Sequence, residues 1–134
     1  MREILFRGKI SDEGWIYGSL DLSRQIGYPS VIRVYNTNEY RSVIPKSVGQ
    51  YIGILDANGT RIFKDDILKI TGVNRSGIFV VIWDDYRLAW WAKNIKIRDL
   101  VYEDDYFQLL NCSFQQSRLK VIGNIHDNTE LLNQ

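Results

Sequence analysis

The chain has 134 residues and sets seventeen Lys and Arg against sixteen Asp and Glu, a net charge of +1. It therefore lacks the basic excess of a dedicated duplex-DNA binder, whose affinity comes mostly from neutralising phosphates. With 45% hydrophobic and 25% charged residues the composition is that of a globular domain and excludes an extended disordered chain.

One domain, or two small lobes divided near Pro45 to Gly49, is expected at this length. Such a chain buries roughly two-thirds of the surface it exposes when unfolded, so it needs no cross-links. The single Cys112 offers no internal disulfide, and no CxxC or Cys/His cluster accompanies it. A reducing, cytoplasmic location is expected. The opening MREILFRGK is charged at its second, third and seventh positions, so no signal-peptide core is expected there. No apolar run approaches the roughly 20 residues of a membrane-spanning helix.

Abundant aromatic, Ile and Val residues with few prolines point to strands and tight turns. Ile4 to Ile10 reads as a first strand, Ser11 to Gly14 as a turn, and Trp15 to Leu20 as the return strand. Gly8 and Gly18 fall inside these strands, where glycine marks a bulge or a close backbone approach. Asp21 to Tyr28 reads as a loop. Val31 to Tyr35 and Tyr40 to Ile44 form a third and fourth strand around the polar turn Asn36 to Glu39, and Pro45 ends the fourth. Tyr51 to Leu55 and Arg61 to Phe63 flank Asn58-Gly59, a strong short-range hairpin signal. Ile67 to Thr71 and Ile78 to Trp83 follow, separated by a turn at Gly72 to Gly77. Asp84-Asp85 turns the chain into the strand Leu88 to Lys93. The stretch Asn94 to Asp105 is read as irregular, Tyr106 to Leu110 as a strand, Leu119 to His126 as the last strand, and Thr129 to Leu132 as a closing helical turn capped by Asp127-Asn128. Short strands between frequent turn signals are the all-β pattern.

The ordered blocks FRGK, WIYGSL, VGQYIGILDANGTRIFKDDILKI and VIGNIHDNTELL, with an apolar strand ending in Trp83-Asp84, resemble the YopX-like proteins of phages and prophages. The resemblance spans nearly the whole chain. It departs from the family pattern at Asp65-Asp66, where Gly-Asp is usual, and at His126-Asp127, where Tyr-Glu is common. The resemblance implies a mainly β fold with an SH3-like barrel in the second half. The expected arrangement is a partly open barrel over 47–134 with N-terminal β-hairpins over 1–46 packed on it, because the two-sided apolar strand Ile78 to Trp83 needs a second cover; another subunit is the alternative cover. The resemblance also implies a phage or prophage setting, and it carries over no catalytic residues.

Both faces of the strand Ile78 to Trp83 are apolar, so burial on both sides is expected. Trp90 and Trp91 are adjacent and so point to opposite faces of their strand. With Tyr86, Arg87 and Lys93 they form an aromatic and basic group of the kind that anchors partners or stacks on single-stranded bases. The neighbouring Asp84 and Asp85 disfavour phosphate there. Arg2, Arg7, Lys9, Arg24, Arg33 and Arg41 offer a second basic surface in the N-terminal half, with Arg33 and Arg41 read as cross-strand neighbours. The candidate partner-binding residues are thus Tyr86, Arg87, Trp90, Trp91, Arg33 and Arg41.

The pairs Asp65-Asp66, Asp84-Asp85 and Asp104-Asp105 invite comparison with carboxylate metal sites. They sit at turns and strand ends, where a solvated Asp bonding to backbone N–H groups is the expected role. His126 lacks an accompanying nucleophile motif, Cys112 lacks a neighbouring cation to activate it, and no P-loop or GxGxxG cradle is present. No catalytic, cofactor-binding or metal residue is assigned, and no cofactor is expected. The reading is a non-enzymatic binding or assembly module acting on itself or on a phage or host protein. Nucleic-acid binding is the alternative, and a metal-dependent phosphoesterase built on the Asp pairs and His126 is a remote one.

Overall fold

The computed structural model describes residues 3–11, 14–24, 30–71, 77–95, 106–109 and 116–133. Residues 72–76 of the turn expected at Gly72 to Gly77, residues 96–105 of the stretch Asn94 to Asp105 expected to be irregular, and Cys112 lie outside the described residues; Asn94 itself ends a strand.

The described strands are β1 (Phe6–Lys9), β2 (Trp15–Leu20), β3 (Val31–Val34), β4 (Tyr40–Ser42), β5 (Gly49–Leu55), β6 (Arg61–Phe63), β7 (Asp66–Ile70), β8 (Gly77–Asp84), β9 (Ala89–Asn94), β10 (Tyr106–Gln108) and β11 (Leu119–Asn124). The fold is mainly β, as the strand and turn pattern implied. Its described strands form two antiparallel sheets, ordered β4-β3-β2-β1-β5-β6 and β10-β9-β8-β7-β11, and no closed barrel. Where a loop was expected after β2, Leu22–Arg24 makes a single 3-10 turn. Asp21 starts it, its carboxylate accepting the Ser23 N–H at 2.9 Å. The expected closing turn is a 3-10 helix at Thr129–Asn133, begun by Leu131 N–H donating to the Asn128 carbonyl. No helix among the described residues is long and apolar enough to cross a membrane.

The chain divides into two compact units, Met1–Gly53 and Ile54–Gln134, so the division falls within β5. In the first unit β1 is central: it pairs with β2 (Phe6 opposite Gly18, Lys9 opposite Trp15) and with the start of β5 (Arg7 opposite Gly49). Leu5, Ile32, Val43, Tyr51 and Ile52 are buried here, each side chain contributing about 1.5–3 kcal/mol through the apolar area removed from water. The close approach expected at Gly8 is present, since a Cβ there would stand 2.6 Å from a Val43 methyl. Ser47 ties the edge of this unit, accepting the Lys9 N–H at 2.7 Å and donating to the Ile44 carbonyl at 2.6 Å.

In the second unit β7 lies between β8 and β11. Cross-strand partners share a face of a sheet, so Leu68 with Phe79 and Val81 with Ala92 form one buried layer. The double-sided burial expected of β8 is not what forms. Phe79 and Val81 are buried, but Ile78, Val80 and Ile82 are half-buried and Trp83 is exposed. The register shows why: Ile78 is opposite Lys69 and Val80 is opposite Lys93. Long lysine stems beside an apolar strand give partial cover while their heads stay in water.

The Asn58-Gly59 signal does produce a hairpin, of three loop residues. Gly59 N–H donates to Asp56 O at 3.1 Å, and Asp56 N–H to Thr60 O at 2.8 Å. Of the pair, Gly59 alone takes positive φ, at 79°. This is the type I turn followed by a left-handed residue, not the two-residue turn in which both central residues are left-handed.

Candidate functional site

The β8–β9 hairpin carries four of the six candidate residues. Asp84 organises its tip. One carboxylate oxygen accepts the N–H groups of Tyr86 (2.9 Å) and Arg87 (3.0 Å), and the other takes the Arg87 guanidinium at 3.2 Å. The Arg87 N–H, foremost, then the Tyr86 N–H and the Arg87 charge hold the Asp84 carboxyl below the usual carboxylate range, against a smaller opposing effect of burial. Asp84 therefore serves the turn, as an Asp at a strand end was expected to, and the charge anticipated as repelling phosphate is engaged by Arg87.

Arg87 then lies over the Trp91 ring, 4.5 Å from its centroid, in cation–π geometry. Trp83 and Trp90 are direct cross-strand partners and meet edge to face, with centroids 5.1 Å apart and planes at 70°. Trp91 is opposite Ile82, so Trp90 and Trp91 do take opposite faces, both half-buried. Beyond this braced base the tip is open: Tyr86 is 95% and Leu88 73% exposed. Leu88 also holds φ at 52°, a left-handed conformation that costs a residue with a Cβ about 1–2 kcal/mol.

Arg33 and Arg41 do not come together. Arg33 is opposite Tyr40, and Arg41 is opposite Ile32, so the two arginines lie on opposite faces of the sheet. Arg41 pairs with Glu39 at 3.3 Å. Arg33 donates to the Thr37 carbonyl (3.1 Å) and the Asn38 side chain (3.0 Å). Arg7, part of the same proposed basic surface, is buried and stacks 4.5 Å from the Trp15 ring centroid. Arg2 and the Arg24 side chain lie outside the described residues, as does the pair Asp104-Asp105.

The expectation of solvated carboxylates fails at Asp65 and Asp66, which are both buried. Asp66 accepts the Phe63 N–H at 2.8 Å. Asp65, at φ 73°, is a junction. Its N–H donates to Val81 O, its carbonyl accepts the Ile125 N–H, and its carboxylate meets His126 Nε2 at 3.1 Å and Lys64 Nζ at 3.5 Å. The two places where the sequence departs from the family pattern thus touch, though 61 positions apart. No signal in either local segment reveals that pairing. Its bonds fasten the end of β11 to the start of β7, which gives His126 a structural role. Among the described residues no three His, Cys, Asp or Glu side chains converge as a metal site would require.

Sequence reasoning also passed over Asp56, a buried carboxylate on which two strands depend. It accepts N–H groups from Asn58 and Thr60 on one oxygen and from Val121 on the other, each at 2.9 Å. Burial pushes its carboxyl up, but the N–H groups of Val121, Thr60 and Asn58 and the Thr60 hydroxyl together hold it below the ordinary value. The available signal was its position three residues before Gly59, where Asp commonly caps a turn.

The family model described as YopX protein matches residues 6–133. Among solved structures, the crystal structure of protein EF1440 from Enterococcus faecalis is similar, with 22% sequence identity and a TM-score of 0.54 over 98% of this chain and 99% of that one. At that identity the likeness concerns the fold. No curated protein matches the chain.

Proposed function

The chain belongs to the YopX protein family, and on that premise we propose that it is a non-enzymatic module that binds protein through the tip of the β8–β9 hairpin. The observation that carries this reading is Leu88, an apolar side chain 73% exposed on a left-handed backbone, two residues from the 95% exposed Tyr86. A residue that is both strained and exposed contributes nothing visible to the fold, and strain of this kind gathers where surfaces are shaped for use. Asp84 and the Arg87–Trp91 stack hold the tip in one conformation, which lowers the entropy lost when a partner docks. Aromatic and apolar anchors on a fixed support are the usual centre of a protein interface.

A second copy of the chain is the first partner to test, since symmetric self-association is the commonest soluble assembly; a phage or host protein is the other. The phage or prophage setting and a cytoplasmic location are part of this proposal, resting on the family resemblance and the lone cysteine.

Sedimentation equilibrium from low to high micromolar concentration is expected to show association, weakened at least about tenfold by Tyr86→Ser, a typical cost of removing an interface anchor. Leu88→Gly relieves the left-handed strain. It is expected to raise unfolding stability by about 1 kcal/mol while weakening association. A purely structural Leu88 does not produce opposite signs in the two measurements. A protein that stays monomeric throughout removes the self-association version. Association that Tyr86→Ser leaves unchanged removes this surface.

A further inference from the structure

The first unit carries a separate exposed face. Alternation along paired strands puts Tyr17 and Ser19 of β2, Arg33 of β3 and Tyr40 of β4 on one side of the sheet, Ser19 being opposite Arg33 and Arg33 opposite Tyr40. Tyr35 extends that row one residue past β3, its N–H bonded to the Tyr17 carbonyl at 2.8 Å. A depression of about 380 Å³ opens there, lined by Ser19, Arg33, Tyr35 and residues of the turn Asn36 to Asn38. Tyr17, Tyr35 and Tyr40 are 42%, 61% and 39% exposed, so three partly exposed phenol rings share this face with one guanidinium.

That guanidinium is held in place. Arg33 Nε donates to the Thr37 carbonyl and one terminal nitrogen to the Asn38 side chain, which uses two of the five N–H donors an arginine has and leaves the others for an anion. Among the described residues, two carboxylates border the face. Asp21 accepts the N–H and hydroxyl of Ser23, and Glu39 pairs with Arg41. Arg41 balances the Glu39 charge, while the Asp21 charge is only hydrogen-bonded, so Arg33 is the group of this face that can attract an anion.

We propose that this face binds single-stranded nucleic acid, with bases stacked on Tyr35 and its neighbours Tyr17 and Tyr40 and a backbone phosphate on Arg33. Every base has a π-face, so aromatic rings spaced along a sheet accept a strand with little sequence preference, while a fixed arginine supplies the charge that places it. A duplex hides its bases from such rings, so single strands are favoured over duplex. The surface is distinct from the hairpin tip and does not depend on what that tip binds.

Fluorescence anisotropy with labelled twelve-residue oligo(dT) and oligo(U), against a duplex of equal length, tests this. Low salt is expected to give micromolar binding of the single strands, weakening as salt rises, and weaker binding of the duplex. Tyr35→Ala is expected to weaken single-strand binding about tenfold, and Arg33→Gln to weaken it and flatten the salt dependence. Tyr86→Ser, on the other surface, is expected to leave it unchanged. Tyr35 lies outside β3 and is mostly exposed, so its variant is expected to keep the wild-type circular dichroism spectrum, which confirms that any loss is one of binding. No anisotropy change at about 100 µM protein in low salt overturns the proposal. So does binding indifferent to both Tyr35→Ala and Arg33→Gln. If Tyr35→Ala instead disrupts self-association and no oligonucleotide competes, the face is a protein interface and the nucleic-acid assignment is wrong.

Discussion

Asp56→Ala is expected to destabilise the protein by about 3 kcal/mol, because one carboxylate closes the β5–β6 turn and also holds β11. Bonds from N–H groups to a charged acceptor contribute about 1.5–3 kcal/mol each, and a buried donor left without an acceptor costs a comparable amount. Asp56 accepts three such bonds while almost wholly buried. All three bonds are only partly buried, so water can replace the carboxylate in part, more readily at the exposed residues Asn58 and Thr60 than at the half-buried Val121, and the sum falls short of three full bonds. Asp56→Asn keeps one carbonyl acceptor and is expected to lose about half as much.

The same carboxylate gives this loss a pH dependence. Its folded-state pKa lies below the ordinary value, so the folded protein binds fewer protons here than the unfolded chain does near that pKa. Stability from this group is present in full above the unfolded value of about 4 and is lost as pH falls through the lower folded value. In urea titrations the gap between wild type and Asp56→Asn should be widest near neutrality and should narrow in acid below pH 4. A gap that stays constant down to pH 2 shows that charge is not what Asp56 contributes.

Strand identity was legible because most turns are written in residues that interrupt a period-2 pattern. Register was less so, and the reason is visible at β3–β4. Reading Arg33 opposite Arg41 is one residue from the observed Arg33–Tyr40 pairing, and in a sheet a slip of one residue moves every side chain to the other face. What fixes the true register lies within the turn. Thr37 Oγ accepts the Glu39 N–H and donates to the Val34 carbonyl, and Arg33 reaches the Thr37 carbonyl. Those are side-chain choices that strand periodicity does not report. The slip hid Tyr40 as a companion of Arg33. The hairpin residues Tyr86, Arg87, Trp90 and Trp91 could be grouped from the sequence because they are neighbours in it. The Asp65–His126 pair was not, because contact across 61 positions follows from the β7–β11 pairing alone.

Gly18→Ala is expected to be at least as damaging as the loss of Asp56, through sterics rather than charge. Gly18 is paired with Val34 in β2–β3. A Cβ built there overlaps the Arg33 carbonyl oxygen and comes within 2.8 Å of its carbon. Had the obstacle been the end of a flexible side chain, a rotamer change would relieve it. Here it is backbone, and that backbone is pinned by Tyr35 N–H donating to the Tyr17 carbonyl and by Val34 N–H donating to the Glu39 carbonyl. Making room means separating β2 from β3, which moves the fully buried Ile32 as well. Overpacking that forces backbone apart costs about 3 kcal/mol or more, equivalent to a fall in Tm of roughly 10 °C in a domain of this size. Gly8→Ala is the matched control, because the atoms it meets belong to the Val43 side chain. It is expected to be milder and to be partly rescued by Val43→Ala. A Gly18→Ala protein within about 1 kcal/mol of wild type would mean that β2 and β3 part easily, and the tyrosine-lined face built on their pairing would then not be a fixed platform.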